Sequence, residues 1–250
     1  MTRSEFHRLF KSAGPAVTPV IHVVDRDRTL SNISHVIDAG AAGVFLINHD
    51  FDVDKFLPIL RAVRTACPDL WLGANFLAVT GRDAFPVLGE LERDGCPVDA
   101  YWADDARIDE TGQDPSEAAD IAAVRAASGW TGLYFGGTAF KKQRPVASEH
   151  YEDAAREAAR FMDVVTTSGL ATGEEADDTK ITDFRRGVGD RPIALASGIT
   201  PENAERYADV DCFLVATGIN HPGNFYDIDP ERLAALMVVT RRIGRERNAE

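Results

Sequence analysis

The chain lacks the features that several classes of protein need. Its three cysteines, Cys67, Cys96 and Cys212, are an odd number without CxxC spacing, which argues against a disulfide framework or a cysteine-based zinc site. No apolar run approaches the roughly 18 residues of a membrane span, and no signal-peptide pattern opens the sequence. We therefore expect a cytoplasmic protein whose cysteines are small buried side chains.

Basic residues and strong catalytic signatures are also scarce. Lys and Arg total 27 against 40 Asp and Glu, which gives a net charge of −13. Without a basic stripe, a nucleic-acid partner is not expected. The HExxH, GxSxG and Walker motifs are missing, so no motif names the reaction. An acidic protein can still hold an anion locally, because backbone N–H groups supply the contacts.

Strand-like apolar runs alternate with helical patterns eight times along the 250 residues. The strands are expected to begin near Pro19, Gly43, Leu70, Asp99, Thr131, Asp163, Pro192 and Asp211. Most runs are too continuously apolar to have a wet face, which is typical of buried parallel strands. The pattern predicts an α/β fold, a (β/α)8 TIM barrel in one domain over residues 1–250. Residues 1–16 are expected to form a short helical extension that covers the barrel floor.

The competing fold is an open doubly wound sheet. That fold usually carries a GxGxxG turn after its first strand, whereas residues 24–28 read VDRDR here. We therefore predict the barrel. In a barrel of this kind the reactive residues lie at the C-terminal ends of the strands, which limits the candidates to a short set.

Two consecutive strand ends carry the small-residue turns that hold phosphate in α/β proteins. The seventh strand runs into Ser197 and Gly198 and then into residues 200–202, TPE, which read as a capped helix start. The eighth strand runs into Thr217 and Gly218. Because N–H groups and the positive end of a helix favour an anion, we predict that these four residues bind phosphate. The alternative to a phosphate site is that these glycines only allow tight turns between strand and helix.

Other strand ends offer chemistry from Lys141, Asp104, Asp25 and His49. Lys141 could bind phosphate, polarise a carbonyl or form a Schiff base. His49 could transfer protons or cap the next helix. Asp104 and Asp25 could act as bases, and Asp104 with Asp105 could hold Mg²⁺, although solvated loop charges would look the same.

Substrate contacts are assigned to polar strand-end residues: Asn48, Asn75, Ser168 and Thr172. No protein metal site is assigned, Mg²⁺ is the one cofactor considered, and no organic cofactor is expected.

Several segments resemble the BtpA family. Residues 163–174, DVVTTSGLATGE, look like its DVVIVSGxATG, and residues 196–203, ASGITPEN, are similar to its GSGVTPEN. Residues 135–143, FGGTAFKKQ, resemble GGVAFKYQ, and residues 73–77, GANFL, resemble GVNVL. The resemblance covers about residues 18–240 and implies a barrel similar to the ribulose-phosphate-binding barrels. The family includes a protein implicated in photosystem I biogenesis and relatives linked to sugar-phosphate metabolism.

Two strand ends depart from that family's pattern. The second strand closes with Asn48-His49-Asp50 where the family has ENFGD, and residues 103–107 read ADDAR where relatives have RVNVF. We therefore expect a substrate that differs from that of typical members.

The expected function is an enzyme acting on a phosphorylated sugar, a phosphoribosyl compound or a nucleotide-like small molecule. Isomerisation or glycosyl or phosphoribosyl transfer would fit, with phosphate binding supplying orientation. One alternative is a Schiff-base lyase that uses Lys141. The other is a non-catalytic assembly or regulatory protein, like BtpA, that keeps the barrel as a scaffold. The expected partners are the phosphorylated substrate and further copies of the chain, because barrels often assemble through their helices.

Overall fold

The computed structural model describes residues 1–111, 116–141, 143–169, 171, 173–247 and 249. Eight parallel strands follow one another in chain order and close into a barrel, with β1 paired to both β2 and β8. The strands are β1 Ala16–His22, β2 Val44–Ile47, β3 Leu72–Asn75, β4 Ala100–Ala103, β5 Leu133–Gly137, β6 Val164–Thr167, β7 Ile193–Ala196 and β8 Cys212–Val215. The predicted TIM-barrel fold is confirmed, and each strand begins within three residues of its predicted start.

Helices surround the strands. They are α1 Arg3–Leu9, α2 Arg26–Ala39, α3 Val53–Ala66, α4 Gly81–Arg93, α5 Ser116–Ser128, α6 Tyr151–Ala158, α7 Asp178–Val188 and α8 Pro230–Arg247. Four of them begin after an aspartate whose carboxylate accepts a backbone N–H of the first turn, namely Asp25, Asp52, Asp177 and Asp229. Within the described parts of the chain, no helix combines the length and apolar character needed to cross a membrane.

The segment between β7 and β8 differs from the prediction. An α-helix was expected to open at Thr200, but only a 3₁₀ helix, Ala204–Tyr207, forms there. The reason is Asn203, whose Oδ1 accepts the Thr200 N–H at 2.8 Å and whose Nδ2 donates to the Gly198 carbonyl at 2.6 Å. These bonds hold the segment in turns, so the expectation of a helix start here is wrong.

Strand register determines what lies inside the barrel. Side chains from alternate strands point inward in layers of four, as in other barrels of this type. Lower layers contain large rings, such as Phe45 and Phe135 with centroids 5.2 Å apart. Upper layers contain Gly137, Ala196 and Ala216, which are too small to fill the centre. The strands therefore surround an open cavity at their C-terminal ends.

At the opposite end, α1 packs beneath the barrel. Phe6 of α1 is fully buried, with its ring centroid 6.4 Å from that of Phe135. Arg3 and His7 of the same helix reach the carboxylate of Asp211, at 2.8 and 3.0 Å. This ion-paired contact fixes the helix over the N-terminal ends of the strands.

Candidate functional site

The cavity at the C-terminal ends of the strands has a volume of about 710 Å³, counting its open mouth. Seven of the residues singled out from the sequence line it: His49, Asp104, Lys141, Ser197, Gly198, Thr217 and Gly218. Much of the remaining wall is apolar or aromatic, from Val20, Ile47, Leu77, Trp102, Ile199, Leu214 and Phe225. The strand-end rule thus brings together residues that are far apart in the chain.

The loops after β6, β7 and β8 meet at one side of this cavity. A methyl group on Gly218 would lie 1.8 Å from the Ile199 carbonyl oxygen, and one on Gly198 would lie 2.3 Å from the Glu174 carbonyl oxygen. Gly198 also has a φ of +70°. Only glycine permits these approaches. Among the described residues, the N–H groups of Gly198 and Gly218 donate to no protein group, which leaves them available to a ligand.

Side chains of the two final loops are less available. The Ser197 hydroxyl accepts the Gly169 N–H at 3.0 Å and donates to the Glu174 carbonyl at 3.3 Å, so it joins the β7 loop to the β6 loop. The Thr200 N–H, expected to face an anion from a helix start, is already bound by Asn203. Thr217 is exposed at the rim of the cavity. An anion here would depend on backbone N–H groups instead of a helix dipole.

Lys141 is held in place by the loop after β6. Its N–H donates to the Ser168 hydroxyl at 2.8 Å, and that hydroxyl donates to the Gly169 carbonyl at 2.8 Å. Ser168, expected to contact substrate, is fully buried and positions the Lys141 backbone.

Lys180 is a buried residue that the sequence interpretation missed. Its ammonium group donates to the carbonyls of Ala139 and Ser168, at 2.6 and 2.8 Å, and so joins the β5 and β6 loops. Burial lowers the pKa of Lys180 to about 8. The sequence feature that could have identified Lys180 is its position one helical turn before Phe184, on the apolar face of α7.

Asp104 faces the cavity and its neighbour does not. Asn75 Nδ2 donates to Asp104 Oδ1 at 3.0 Å, so Asn75, expected to contact substrate, orients this carboxylate. Asp105 instead accepts the Arg107 N–H at 2.8 Å and pairs with the Arg107 side chain at 3.3 Å. The adjacent carboxylates therefore do not form the pair that the Mg²⁺ hypothesis required. Among the described residues, no three His, Cys, Asp or Glu side chains come together as metal ligands would.

Two histidines and a phenylalanine form one wall. The His22 ring lies against the Phe225 ring with centroids 3.9 Å apart, and the His49 ring is 5.8 Å from that of His22. Burial, and then the positive charges of His49 and Lys141, lower the pKa of His22 to about 4. His22 is therefore a neutral imidazole at neutral pH.

The loop between β8 and α8 carries Phe225 over the cavity. The Tyr226 hydroxyl donates to Asp50 at 2.9 Å, and Arg28 makes a bidentate ion pair with Asp227, both bonds 2.6 Å long. Hydrogen bonds from His49 and Tyr226 lower the pKa of Asp50. These contacts fix Phe225 against His22.

Two expected residues, Asp25 and Asn48, do not line the cavity. The Asp25 carboxylate is exposed and caps α2 by accepting the Arg28 N–H at 2.8 Å. Asn48 is buried and braces two loops, donating to the Phe51 carbonyl and accepting the Leu77 N–H at 2.8 and 2.9 Å. Thr172 lies outside the described residues. We therefore assign no chemistry to Asp25 or Asn48.

Comparisons with known proteins give the fold. No protein-family model matches the chain, so the resemblance to the BtpA family rests on its motifs alone. No curated protein is significantly similar in sequence either.

Solved structures do match the fold. The alpha subunit of tryptophan synthase from Legionella pneumophila is 15% identical with a TM-score of 0.62, covering 98% of this chain and 99% of that one. Phosphoribosyl anthranilate isomerase from Thermus thermophilus is 16% identical with a TM-score of 0.60, covering 89% and 96%. A structure described as native KDPGal is 15% identical with a TM-score of 0.61, covering 94% and 96%. At these identities the likeness establishes a shared barrel.

Proposed function

We propose that this protein is an enzyme acting on a phosphorylated small molecule, either a sugar phosphate or a phosphoribosyl compound. The observation that carries the proposal is the convergence of three loops at Gly198 and Gly218, two glycines that line the cavity. Such N–H groups hold a phosphate well, because they supply fixed donors without side-chain ordering. Lys141, from the neighbouring β5 loop, adds a positive charge to the same cavity.

Acid–base chemistry would come from Asp104 and Lys141. A carboxylate that removes a proton beside a carbonyl, and an ammonium group that polarises the carbonyl oxygen, together suit isomerisation of a sugar phosphate. Asn75 keeps the carboxylate oriented, and Ser168 keeps the Lys141 backbone in place. His49, also in the cavity wall, is a further proton carrier.

The comparisons support the direction of this proposal. One barrel of the same fold is described as a phosphoribosyl anthranilate isomerase, which acts on a phosphoribosyl compound. The motifs that resemble the BtpA family, with its relatives linked to sugar-phosphate metabolism, point the same way.

Thr217 offers a test of the phosphate end, because its side chain is exposed at the rim and can be changed with little disturbance of the fold. Thr217→Asp places a carboxylate beside the proposed phosphate, and Thr217→Asn is the matched neutral control. We expect ribose 5-phosphate and inorganic phosphate to bind the wild type and Thr217→Asn with similar affinity. Both ligands should bind Thr217→Asp at least about tenfold more weakly, as measured by calorimetry. Equal binding to both variants would refute the phosphate site.

A Schiff-base lyase is the second candidate, since Lys141 lies in the cavity wall. Borohydride reduction in the presence of a keto or aldehyde sugar phosphate would then add the substrate's mass to Lys141. An unmodified lysine excludes the lyase. If Lys141→Met keeps full cellular function, the scaffold interpretation replaces both enzyme candidates.

A further inference from the structure

Three buried polar atoms beneath the cavity have no hydrogen-bond partner among the described residues. They are Asn75 Oδ1, Trp102 Nε1 and Thr166 Oγ1, on residues that are 1%, 5% and 0% exposed. Buried polar atoms without partners are rare, because the lost contact with water is not replaced. Three of them in one part of the barrel need an explanation.

Strand register places the three side chains close together. Trp102 of β4 and Thr166 of β6 belong to one inward-facing layer of four, and Asn75 of β3 belongs to the layer above it. That upper layer also contains Gly137 and Ala196, which leave the centre of the barrel open. Trp102 itself lines the cavity. Trp102 therefore lies at the cavity's deep end, and Asn75 and Thr166, which do not themselves line the cavity, adjoin it through the strand register; we call these three residues the cavity floor.

The chemistry of the cavity floor is neutral and mixed. Trp102 Nε1 can only donate, Asn75 Oδ1 can only accept, and the Thr166 hydroxyl can do both. A phosphate or carboxylate would be repelled by Asn75 Oδ1 and by the Asp104 carboxylate, which lies 3.0 Å from Asn75 Nδ2. An alcohol hydroxyl donates and accepts, so neighbouring hydroxyls, or a hydroxyl beside a carbonyl, satisfy all three atoms.

We infer that the cavity floor, formed by Asn75, Trp102 and Thr166, is a subsite for hydroxyl and carbonyl oxygens at the uncharged end of the substrate. This inference deepens the proposed function and rests on it. Ala196, the last β7 residue in the register, lies one layer above Trp102, and extending the usual rise and tilt of the strand by two residues puts Gly198 roughly 8 Å above Trp102. A phosphate held at Gly198 therefore reaches the cavity floor through a chain of about five carbons.

The test compares probes that differ only in hydroxyl groups. Ribitol 5-phosphate carries hydroxyls along a five-carbon chain, n-pentyl phosphate has the same length without them, and ribitol and inorganic phosphate represent the two ends. We expect ribitol 5-phosphate to bind at least about tenfold more tightly than pentyl phosphate. Thr166→Val, which replaces only a hydroxyl group, should reduce that advantage about fivefold and leave pentyl phosphate unchanged. Trp102→Phe should also reduce the ratio of the two affinities about fivefold, and the ratio is the readout because the smaller ring also alters the apolar wall.

Thr18 supplies the matched control. It is another inward-facing, fully buried threonine, but its hydroxyl donates to the Phe213 carbonyl at 3.2 Å deep in the barrel. Thr18→Val should leave the binding of every probe unchanged. Thr166→Val should melt at or above the wild-type temperature, which separates a lost contact from a lost fold.

The outcomes separate this inference from the proposed function. If pentyl phosphate binds as tightly as ribitol 5-phosphate, or if the advantage survives in both variants, water satisfies the three atoms and the subsite is refuted. If inorganic phosphate and pentyl phosphate fail to bind while ribitol binds and Thr166→Val weakens it, the phosphate site is refuted and the subsite stands. If no probe binds the wild type, both are refuted.

Discussion

The two ends of this barrel both bury polar groups, but they satisfy them in different ways. At the N-terminal end Asp211 is fully buried, and its carboxylate accepts from Arg3, Arg185 and the Ile193 N–H at 2.8, 2.6 and 2.9 Å. The His7 ring nitrogen lies 3.0 Å away. The hydrogen bonds with water that the carboxylate loses on burial are thus replaced by hydrogen bonds with protein groups.

At the C-terminal end the protein leaves such replacement incomplete. Asn75, Trp102 and Thr166 each keep one polar atom without a partner in the described part of the chain, and the Nδ1 atom of His22 has none there either. The N-terminal end therefore pairs its buried carboxylate fully, with Arg185 Nε as its one polar atom lacking a partner among the described residues of this cluster, whereas several such atoms occur at the C-terminal end. This contrast agrees with a structural role for the first end and supports the binding role proposed for the second.

The largest expected effect comes from breaking the structural end. Burial alone would raise the pKa of Asp211, but the hydrogen bond from His7 and the charges of Arg185 and Arg3 hold that pKa well below its usual range. Asp211→Asn leaves the arginines buried without their anion and should lower the free energy of unfolding by about 3–5 kcal/mol in urea titrations. Asp209→Asn, at an exposed neighbour, should change it by less than about 0.5 kcal/mol. Similar effects for the two variants would refute the role of this ion-paired cluster.

The next effect tests the functional end through His22. Its pKa is lowered to about 4, so between that pH and 6.5 the unfolded chain binds more protons than the folded one. Stability should therefore fall as pH drops, with His22 contributing about 3 kcal/mol of loss between pH 7 and pH 4. His22→Gln should lose that part of the pH dependence in urea titrations. Parallel pH profiles for the two proteins would mean that His22 titrates normally.

A smaller effect of the same sign, in a more alkaline pH range, is expected from Lys180. Its pKa is lowered to about 8 from a usual 10.5, so the unfolded chain holds the proton to higher pH. Stability should rise by about 2 kcal/mol between pH 8 and pH 10, as the buried amine loses its charge. In Lys180→Met this rise should be absent from urea titrations over the same range. A rise of equal size in Lys180→Met would assign the effect to other groups.

Sequence reasoning succeeded where the determinant was local. The continuous apolar runs located all eight strands, because a strand that is buried on both faces consists of consecutive apolar residues. It failed after β7, where a side-chain bond from Asn203 to Gly198 replaces the expected helix start. Asn203 Nδ2 also donates to Glu175 Oε1 in the loop after β6 at 2.9 Å, and a contact between two loops leaves no local sequence pattern.

The candidate site shows the same division. The strand-end rule found Lys141 and Asp104, but it also selected Asp25, whose carboxylate caps a helix that begins one residue later. Phe225 lies in a loop ten residues beyond β8, so no strand-end rule could place it against His22. Trp102 looked like an ordinary core residue, because an unpartnered indole N–H is visible only in three dimensions.

The smallest expected effect is the sharpest test of the contrast between the ends, because it uses two threonines that differ in one property. Thr18 and Thr166 are both fully buried inside the barrel, but within the described ranges only Thr18 has a hydrogen-bond partner for its hydroxyl. Thr18→Val should lower the free energy of unfolding by about 1 kcal/mol in urea titrations, the net value of one such bond. Thr166→Val removes a hydroxyl that makes no bond in the unliganded protein, so it should be neutral or stabilising by up to about 1 kcal/mol. If both valine variants lower the free energy of unfolding equally, the Thr166 hydroxyl already has a hydrogen-bond partner. The contrast between the C-terminal and N-terminal ends of the barrel is then refuted.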